Sequence, residues 1–235
     1  MALIDNIVSY WKLDEASGNA ADSAGSNTLT NTNTATFGAA KINNGAYLAS
    51  ASSQYFVKTS PSGIPVGNSA RSFNVWYYSP DASTVQKNHC LIGYGAASNY
   101  ALQHFGIGWD GVSSSSLVWN GYAADVIQNY TFLNNTWYML TGTFNGTTAR
   151  VYVNGTELGA GTNVSNWNTS SSDLNVGRSI QVAYYLNGRM DEVGIWSRAL
   201  SGAEITELYN AGAGLQYPFS VAPAFSRNAT MFNVF

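Results

Sequence analysis

The stretch Arg150-Val-Tyr-Val-Asn-Gly-Thr-Glu-Leu158 carries the strongest local signal for the fold of this chain. Its Asn154–Gly155 pair stands between two β-rich runs and predicts a type I′ hairpin turn, because both residue types tolerate positive φ. A second turn is predicted at Asn145–Gly146, just before the same run. Two such turns in succession indicate neighbouring antiparallel strands and argue against βαβ units.

The rest of the chain repeats this pattern of short apolar or alternating runs separated by Gly, Asn and Ser. Such spacing is typical of an antiparallel sandwich or barrel. The candidate strands are residues 7–13, 46–49, 55–58, 72–78, 90–94, 101–109, 117–119, 137–144, 150–153, 174–176 and 186–196. The polar residues 17–37 predict a long early loop with few core contacts.

One short helix is predicted near the end of the chain. Ser201 and Glu204 have the spacing of a capping box, in which each side chain accepts a backbone N–H of the other residue. An apolar stripe follows, and Gly212 is the predicted stop. A single late helix predicts a cover on an all-β domain.

The composition excludes several classes of protein. Only 10% of the residues are charged, against about 25% in an average globular protein. Ten basic and thirteen acidic residues give a net charge of −3 without a basic run, so a nucleic-acid partner is not expected. The single Cys90 excludes an internal disulfide and a Cys-rich zinc site. No segment approaches the roughly 20 apolar residues of a membrane span.

The first residues lack the basic region and apolar stretch of a secretory signal peptide. We therefore expect that the chain begins at a processed boundary or reaches the outside by another route. Phage structural proteins, which are released on lysis, are an example of the second case.

Several motifs in the same order resemble laminin-G-like jelly rolls of the concanavalin A-like lectin/glucanase type. They are residues 10–18 with 22–27, 71–76, 137–144, 151–155, and 187–196 with 199–201. The segment 71–76 departs from the family pattern by one residue between Phe73 and Trp76. The resemblance covers about residues 5–216 and implies an all-β antiparallel β-sandwich jelly roll with one short C-terminal helix. It does not specify a ligand.

Residues 217–235 form a tail outside the predicted domain of residues 1–216. The tail has two prolines and an apolar end, so we expect it to dock, either on its own sandwich or on a neighbouring subunit. Its aromatic residues are the predicted assembly contacts: Tyr217, Phe219, Phe225, Phe232 and Phe235.

No catalytic residues are predicted. Glycosidases need two carboxyl groups about 5–9.5 Å apart across the scissile bond. Asp191 and Glu192 are adjacent, so on a regular strand they point to opposite faces. The two histidines, His89 and His104, lie near no nucleophile motif and are expected to be solvated or satisfied in the core.

The resemblance also implies a structural calcium ion that ties the early loop to the last strand. The matching residues are Asp22 and Asp191, with Asn27 as a further oxygen ligand, and calcium favours such hard oxygen ligands. The alternative is that Asp22 caps a turn through its own backbone and Asp191 accepts backbone hydrogen bonds.

Aromatic residues are the remaining candidates for ligand contact, because their flat rings can stack on the apolar faces of sugars. Trp76 and Trp137 lie within strands and are expected to pack in the core. Those at strand ends or in polar loops are the predicted ligand platforms: Trp109, Trp119, Tyr122 and Trp167. Ordinary packing is the alternative for each of them.

These observations predict a non-catalytic recognition or adhesion domain that binds glycans or a cell surface, acts outside the cell and is displayed on a phage virion. A structural virion decoration or fibre protein that assembles through its tail is the alternative. A glycoside hydrolase is the lesser alternative.

Overall fold

The computed structural model describes residues 1–80, 89–109, 112–181 and 184–219, and for residues 109 and 112–115 it describes the backbone alone. Two antiparallel sheets stack on each other, which confirms the predicted all-β sandwich. The quoted hairpin is present, since Asn154 and Gly155 have φ of 51° and 80° and connect two paired strands. Both residues occupy the left-handed region that a type I′ turn requires.

The larger of the two sheets, called here the large sheet, has nine strands within the described residues, in the order β13-β12-β11-β6-β16-β4-β3, with β1 paired to β16 and β14 paired to β12. Its strands are β1 (Ile7–Trp11), β3 (Thr36–Ala39), β4 (Asn44–Leu48), β6 (Arg71–Ser79), β11 (Thr136–Phe144), β12 (Thr148–Val153), β13 (Thr156–Glu157), β14 (Thr162–Asn163) and β16 (Gly188–Trp196).

The opposite sheet, called here the small sheet, has seven strands in the described part of the chain, in the order β10-β9-β8-β7-β15-β5-β2. They are β2 (Thr30–Thr32), β5 (Tyr55–Lys58), β7 (His89–Gly95), β8 (Leu102–Trp109), β9 (Val112–Asn120), β10 (Asp125–Asn129) and β15 (Leu174–Val176). Neighbours such as β15 and β5 are far apart in sequence, so this sheet brings distant parts of the chain together.

The main core lies between the two sheets and follows from the period-two alternation of the strands. On β6, Phe73, Val75 and Tyr77 point inward and belong to this core. The Phe73 ring lies 6.1 Å from Phe105 and 5.0 Å from Trp119 of the small sheet, measured between centroids. Each fully buried apolar side chain of this size contributes about 1.5–3 kcal/mol.

A second apolar layer covers part of the outer face of the large sheet. The eight-residue helix α1 (Gly202–Tyr209) buries Ile205 and Leu208 there, in a cluster that contains Trp76 of β6. The predicted capping box is confirmed, because Ser201 and Glu204 each accept the other's backbone N–H. The α-helix ends before the predicted stop at Gly212, and a 3-10 turn, Asn210–Gly212, fills the difference.

The described beginning of the tail packs on its own sandwich. The Tyr10 ring lies 5.9 Å from Tyr217 and 5.2 Å from Phe219, and Phe219 also stacks on Trp196 at 6.2 Å. Docking on its own sandwich was one of the two predicted alternatives for the tail, and contact of Tyr217 and Phe219 with a neighbouring subunit stays a prediction. The other predicted assembly residues, Phe225, Phe232 and Phe235, lie outside the described residues.

The prediction that residues 17–37 form a long loop with few core contacts is wrong. Residues 17–37 contain β2 and the beginning of β3, and Leu29 is fully buried. Asn31 holds the connection between the two strands, because its side chain bonds both the N–H and the C=O of Ala35. Both strands are short and polar, so they lack the alternation that marks a strand in sequence. Among the described residues, no helix has the length and apolar character needed to cross a bilayer.

Candidate functional site

Two of the four predicted ligand platforms are buried in the core. Trp119 and Trp167 are 0% and 1% exposed. Their indole N–H groups are satisfied internally, by Gln103 Oε1 at 2.7 Å and by the Ala124 carbonyl at 2.8 Å. Their predicted exposure is therefore wrong: neither ring can reach a ligand in solution, although each tryptophan is followed by Asn in the sequence.

The other two platforms have different outcomes. Tyr122 is 38% exposed in the turn between β9 and β10, and its backbone N–H donates to Asn120 Oδ1. Its contact with a ligand stays a prediction. The side chain of Trp109 lies outside the described residues.

Two of the predicted metal ligands are occupied by hydrogen bonds from the protein. The carboxylate of Asp22 accepts the backbone N–H groups of Tyr10, Ala24, Gly25 and Asn27. The Asn27 side chain bonds Ser9 and both backbone groups of Ser62. This is the geometry of a capped turn, which was the alternative for Asp22.

The third predicted ligand, Asp191, lies in a β-bulge on β16. Met190 and Val193 both face the core, and the pairing with β6 shifts between Asp191 and Gly194. Glu192 has a φ of 51°. The bulge therefore turns Asp191 and Glu192 to the same outer side of the large sheet. The prediction that these adjacent acids point to opposite faces is wrong.

Asp191 and Glu192 form a buried acidic cluster with Asp14. Gln216 Nε2 donates to Asp14 Oδ2 at 2.8 Å and to Glu192 Oε1 at 2.7 Å, and Asp191 Oδ2 accepts the N–H of Ile42 at 2.8 Å. Burial, followed by the charge of Glu192, raises the pKa of Asp191 to about 9. Burial raises the pKa of Glu192 to about 7.

The buried acidic cluster is inaccessible to a substrate, because Asp191 and Glu192 are both 0% exposed. It therefore gives no basis for a glycosidase pair, which must flank a sugar bond. Within the described ranges, no group of three or more His, Cys, Asp or Glu side chains is arranged to hold a metal ion. Calcium binding stays a prediction from the resemblance.

The two histidines are buried on neighbouring strands of the small sheet. His89 is 6% exposed and His104 is 0% exposed. Burial lowers the pKa of both imidazoles to about 4, so both are neutral at neutral pH. Their inaccessibility agrees with the interpretation that they belong to the packed interior.

A row of partly exposed side chains crosses four adjacent strands on the outer face of the large sheet. We call it the aromatic strip; its members are Tyr47 of β4, Arg189 of β16, Tyr78 of β6 and Trp137 of β11. Arg189 pairs with Tyr47 on one side and Tyr78 on the other, and Tyr78 pairs with Trp137. Four strands at about 4.8 Å spacing make a strip about 14 Å long.

Ring contacts hold the members of the aromatic strip together. The Arg189 guanidinium lies 4.2 Å from the Tyr47 ring centroid and 4.8 Å from that of Tyr78. The rings of Tyr78 and Trp137 are 5.5 Å apart at 55°. The tyrosine hydroxyls are anchored, since Tyr47 donates to the Ala39 carbonyl and Tyr78 to Asn135 Oδ1. The strip is thus a preorganised surface of rings with one cation between them.

Sequence reasoning missed the aromatic strip and expected Trp137 to pack in the core. On β6 the alternation Trp76, Tyr78 does indicate an outward-facing aromatic row. Its extension over β4, β16 and β11 depends on the pairing register of strands that are distant in sequence, and no local pattern reports that register.

A model of the Concanavalin A-like lectin/glucanases superfamily matches residues 50–206, which is more than half of the chain. No curated protein matches the chain. Domain 4 of AbnA, a GH43 extracellular arabinanase from Geobacillus stearothermophilus in complex with arabinotriose, is 21% identical with a TM-score of 0.65, over 86% of this chain and 97% of that one.

Two clostridial toxin structures are also similar. The binding domain of Paraclostridial Mosquitocidal Protein 1 is 18% identical with a TM-score of 0.69, over 89% of this chain and 53% of that one. Botulinum neurotoxin type C, whose cell entry depends on interaction with two ganglioside molecules, is 13% identical with a TM-score of 0.64, over 89% of this chain and 52% of that one.

The present chain spans about half of each toxin structure. At these identities the likeness shows a shared fold. None of the three proteins is described as a virion component, so virion display gains no support from them.

Proposed function

Since the chain belongs to the Concanavalin A-like lectin/glucanases superfamily, we propose that it is a non-catalytic recognition domain that binds glycans through the aromatic strip. The observation that carries the proposal is the cross-strand row Tyr47, Arg189, Tyr78 and Trp137, which is partly exposed and fixed in position. The absence of a catalytic role is part of the proposal.

The chemistry of the aromatic strip suits a sugar chain. Sugar rings have apolar C–H faces, and tyrosine and tryptophan offer flat surfaces that lose little side-chain entropy on binding. The guanidinium of Arg189 adds N–H donors for hydroxyl groups between two such rings. The strip is open along its length, so it fits an extended oligosaccharide better than a single compact molecule.

The comparisons support this choice of ligand class. The arabinanase domain was obtained with arabinotriose, and the type C neurotoxin interacts with gangliosides. An extracellular arabinanase among the similar proteins also supports the further proposal that this domain acts outside the cell, on a polysaccharide or a cell surface.

The same side chains also stabilise the sheet, because cross-strand pairs of this kind contribute about 0.2–1 kcal/mol each. A purely structural strip and a binding strip therefore differ in what a substitution changes. If the strip is purely structural, Trp137→Ala should lower only the stability of the fold. If the strip binds a ligand, the same substitution should also lower the affinity for that ligand.

The test is titration calorimetry of the intact chain with a panel of neutral oligosaccharides that includes arabinotriose. Tyr78→Ala and Trp137→Ala should each weaken binding about tenfold, the loss expected for one stacked ring. Tyr122→Ala is the matched control, because Tyr122 is a partly exposed tyrosine away from the strip.

Three results would refute the proposed function. The first is that no oligosaccharide of the panel binds. The second is that folded strip variants bind as tightly as the wild type. The third is that Tyr122→Ala loses binding while the strip variants retain it, which would place the site in the turn predicted from sequence.

A further inference from the structure

A second group of rings surrounds Arg178, on the outer face of the small sheet. Tyr55 precedes the core residue Phe56 on β5, so its ring points away from the core. Arg178 and Tyr185 face each other across an antiparallel bridge beyond the end of β15. The aromatic strip lies on the other sheet, so the two groups of rings occupy opposite faces of the sandwich.

Backbone hydrogen bonds fix this second group in place. The Ser179 N–H donates to the Tyr184 carbonyl at 3.0 Å, and the Leu186 N–H donates to the Gly177 carbonyl at 2.9 Å. These bonds frame the Arg178–Tyr185 bridge from both sides. The rings of Tyr55 and Tyr185 lie 5.9 Å apart at 45°.

Rings hold the Arg178 guanidinium, and its N–H groups are short of acceptors. Its central carbon lies 4.9 Å from the Tyr55 ring centroid and 5.8 Å from that of Tyr185. Nη1 makes one long bond, 3.4 Å, to the Tyr55 hydroxyl, and the buried Nε has no hydrogen-bond partner among the residues that the structure describes. A guanidinium has five N–H donors, and a buried donor left unpaired is costly.

Other arginines of the chain show what a satisfied guanidinium looks like. Arg71 donates five hydrogen bonds to carbonyl and hydroxyl oxygens. Arg198 pairs through both Nη atoms with the carboxylate of Glu204. In the described part of the chain, no carboxylate forms an ion pair with Arg178.

We propose that Arg178, Tyr55 and Tyr185 form a second binding site, which takes the carboxylate of an acidic sugar. A carboxylate supplies the two parallel acceptors that match a guanidinium. The partly exposed rings of Tyr55 and Tyr185 beside it offer a stacking surface for the sugar that bears the carboxylate. The net charge of the chain is −3, so an anion is not attracted by the molecule as a whole and requires this local cation.

The sugar part of this inference rests on the proposed function, whereas the carboxylate part rests on Arg178 alone. The experiment uses the intact chain and trigalacturonate, with its fully methyl-esterified form as a neutral ligand of similar shape. Wild-type protein should bind the acid at least about tenfold more tightly than the ester, the ratio expected for a charge-assisted hydrogen bond.

The Arg178→Gln variant should reduce this preference to nearly equal binding of acid and ester. Arg178→Lys should recover part of the preference, because lysine keeps the charge and loses the paired geometry. Arg150→Gln is the matched control, since it removes one positive charge from the other sheet. The comparison of acid and ester in the wild type needs no variant, so it holds even if Arg178→Gln unfolds.

Equal binding of acid and ester by the wild type, or no binding of either, would overturn the inference. The inference would also be overturned if acetate competed for the Arg178 site as well as trigalacturonate does at equal concentration. The site would then bind any small carboxylate and would not recognise a sugar. The aromatic strip is tested separately, by the loss of arabinotriose binding in Tyr78→Ala. The two proposed sites can therefore be refuted independently of each other.

Discussion

Asp191 is expected to make this protein less stable as the pH rises, and replacing it with asparagine should reduce that loss of stability. In the folded chain, burial raises the pKa of Asp191 to about 9, whereas an aspartate in an unfolded chain has a pKa of about 3.9. The folded state therefore keeps a proton that the unfolded state has released. Stability is fully present below the unfolded value and is lost as the pH rises through the folded one.

The size of the effect follows from this one proton. A proton held by the folded state alone changes the free energy of unfolding by about 1.4 kcal/mol per pH unit. Between about pH 7 and about pH 8.5, Asp191 should therefore remove about 2 kcal/mol. In a chain of 235 residues this corresponds to about 4–8 °C in Tm.

This pH window separates Asp191 from other titrating groups. The folded pKa of Glu192 is about 7, so most of its contribution is lost below the window. His89 and His104 have folded pKa values of about 4. A lowered histidine pKa makes stability rise with pH, and only below about pH 6.5. This effect is opposite in sign to that of Asp191 and lies at lower pH.

The assay is thermal and urea unfolding, followed by tryptophan fluorescence at constant ionic strength. Asparagine keeps a carbonyl oxygen for the Ile42 N–H and carries no titrating proton. Asp173→Asn is the control, because Asp173 is an exposed aspartate that also accepts one backbone N–H. Parallel slopes for the wild type and Asp191→Asn in this window would refute the reasoning, as would a wild type whose stability rises there.

Three further predictions concern the helix cap, the hairpin and the metal. Glu204→Ala should lower the free energy of unfolding in urea by about 3–5 kcal/mol, because it removes the carboxylate that pairs with the nearly buried Arg198 guanidinium. A loss below about 1 kcal/mol would contradict this. Gly155→Ala should lower the free energy of unfolding by about 1–2 kcal/mol, because Gly155 has a φ of 80° and a Cβ there would lie 3.3 Å from Tyr209. An unchanged midpoint of urea unfolding would contradict this backbone strain. Chelation by EDTA should leave Tm unchanged, because Asp22 already accepts four backbone N–H groups; a drop that calcium reverses would support the calcium prediction.

Features set by neighbours in sequence were predicted well. The Asn154–Gly155 turn and the Ser201–Glu204 capping box each depend on a few consecutive residues, and both are present. The order of strand motifs was also sufficient for the fold class. Their patterns follow from backbone geometry, which acts over the same short distances.

Features set by pairing between distant strands were not predicted. Trp119 and Trp167 lie beside turn residues, which suggested exposure, yet their rings point between the sheets. Adjacent Asp191 and Glu192 suggested opposite faces, and a bulge that depends on the pairing with β6 brought them together. The aromatic strip is a property of register across four strands, so it becomes visible only once the sheet is assembled.

In the aromatic strip, the arginine is held by aromatic rings and by no carboxylate of the described residues. This determines over which pH range the strip keeps its shape. An arginine that is held by a carboxylate is released when acid protonates that carboxylate. Arg189 leans on the faces of Tyr47 and Tyr78, and a ring face has no proton to gain in acid. The same surface should therefore be offered in an acidified compartment and in neutral medium.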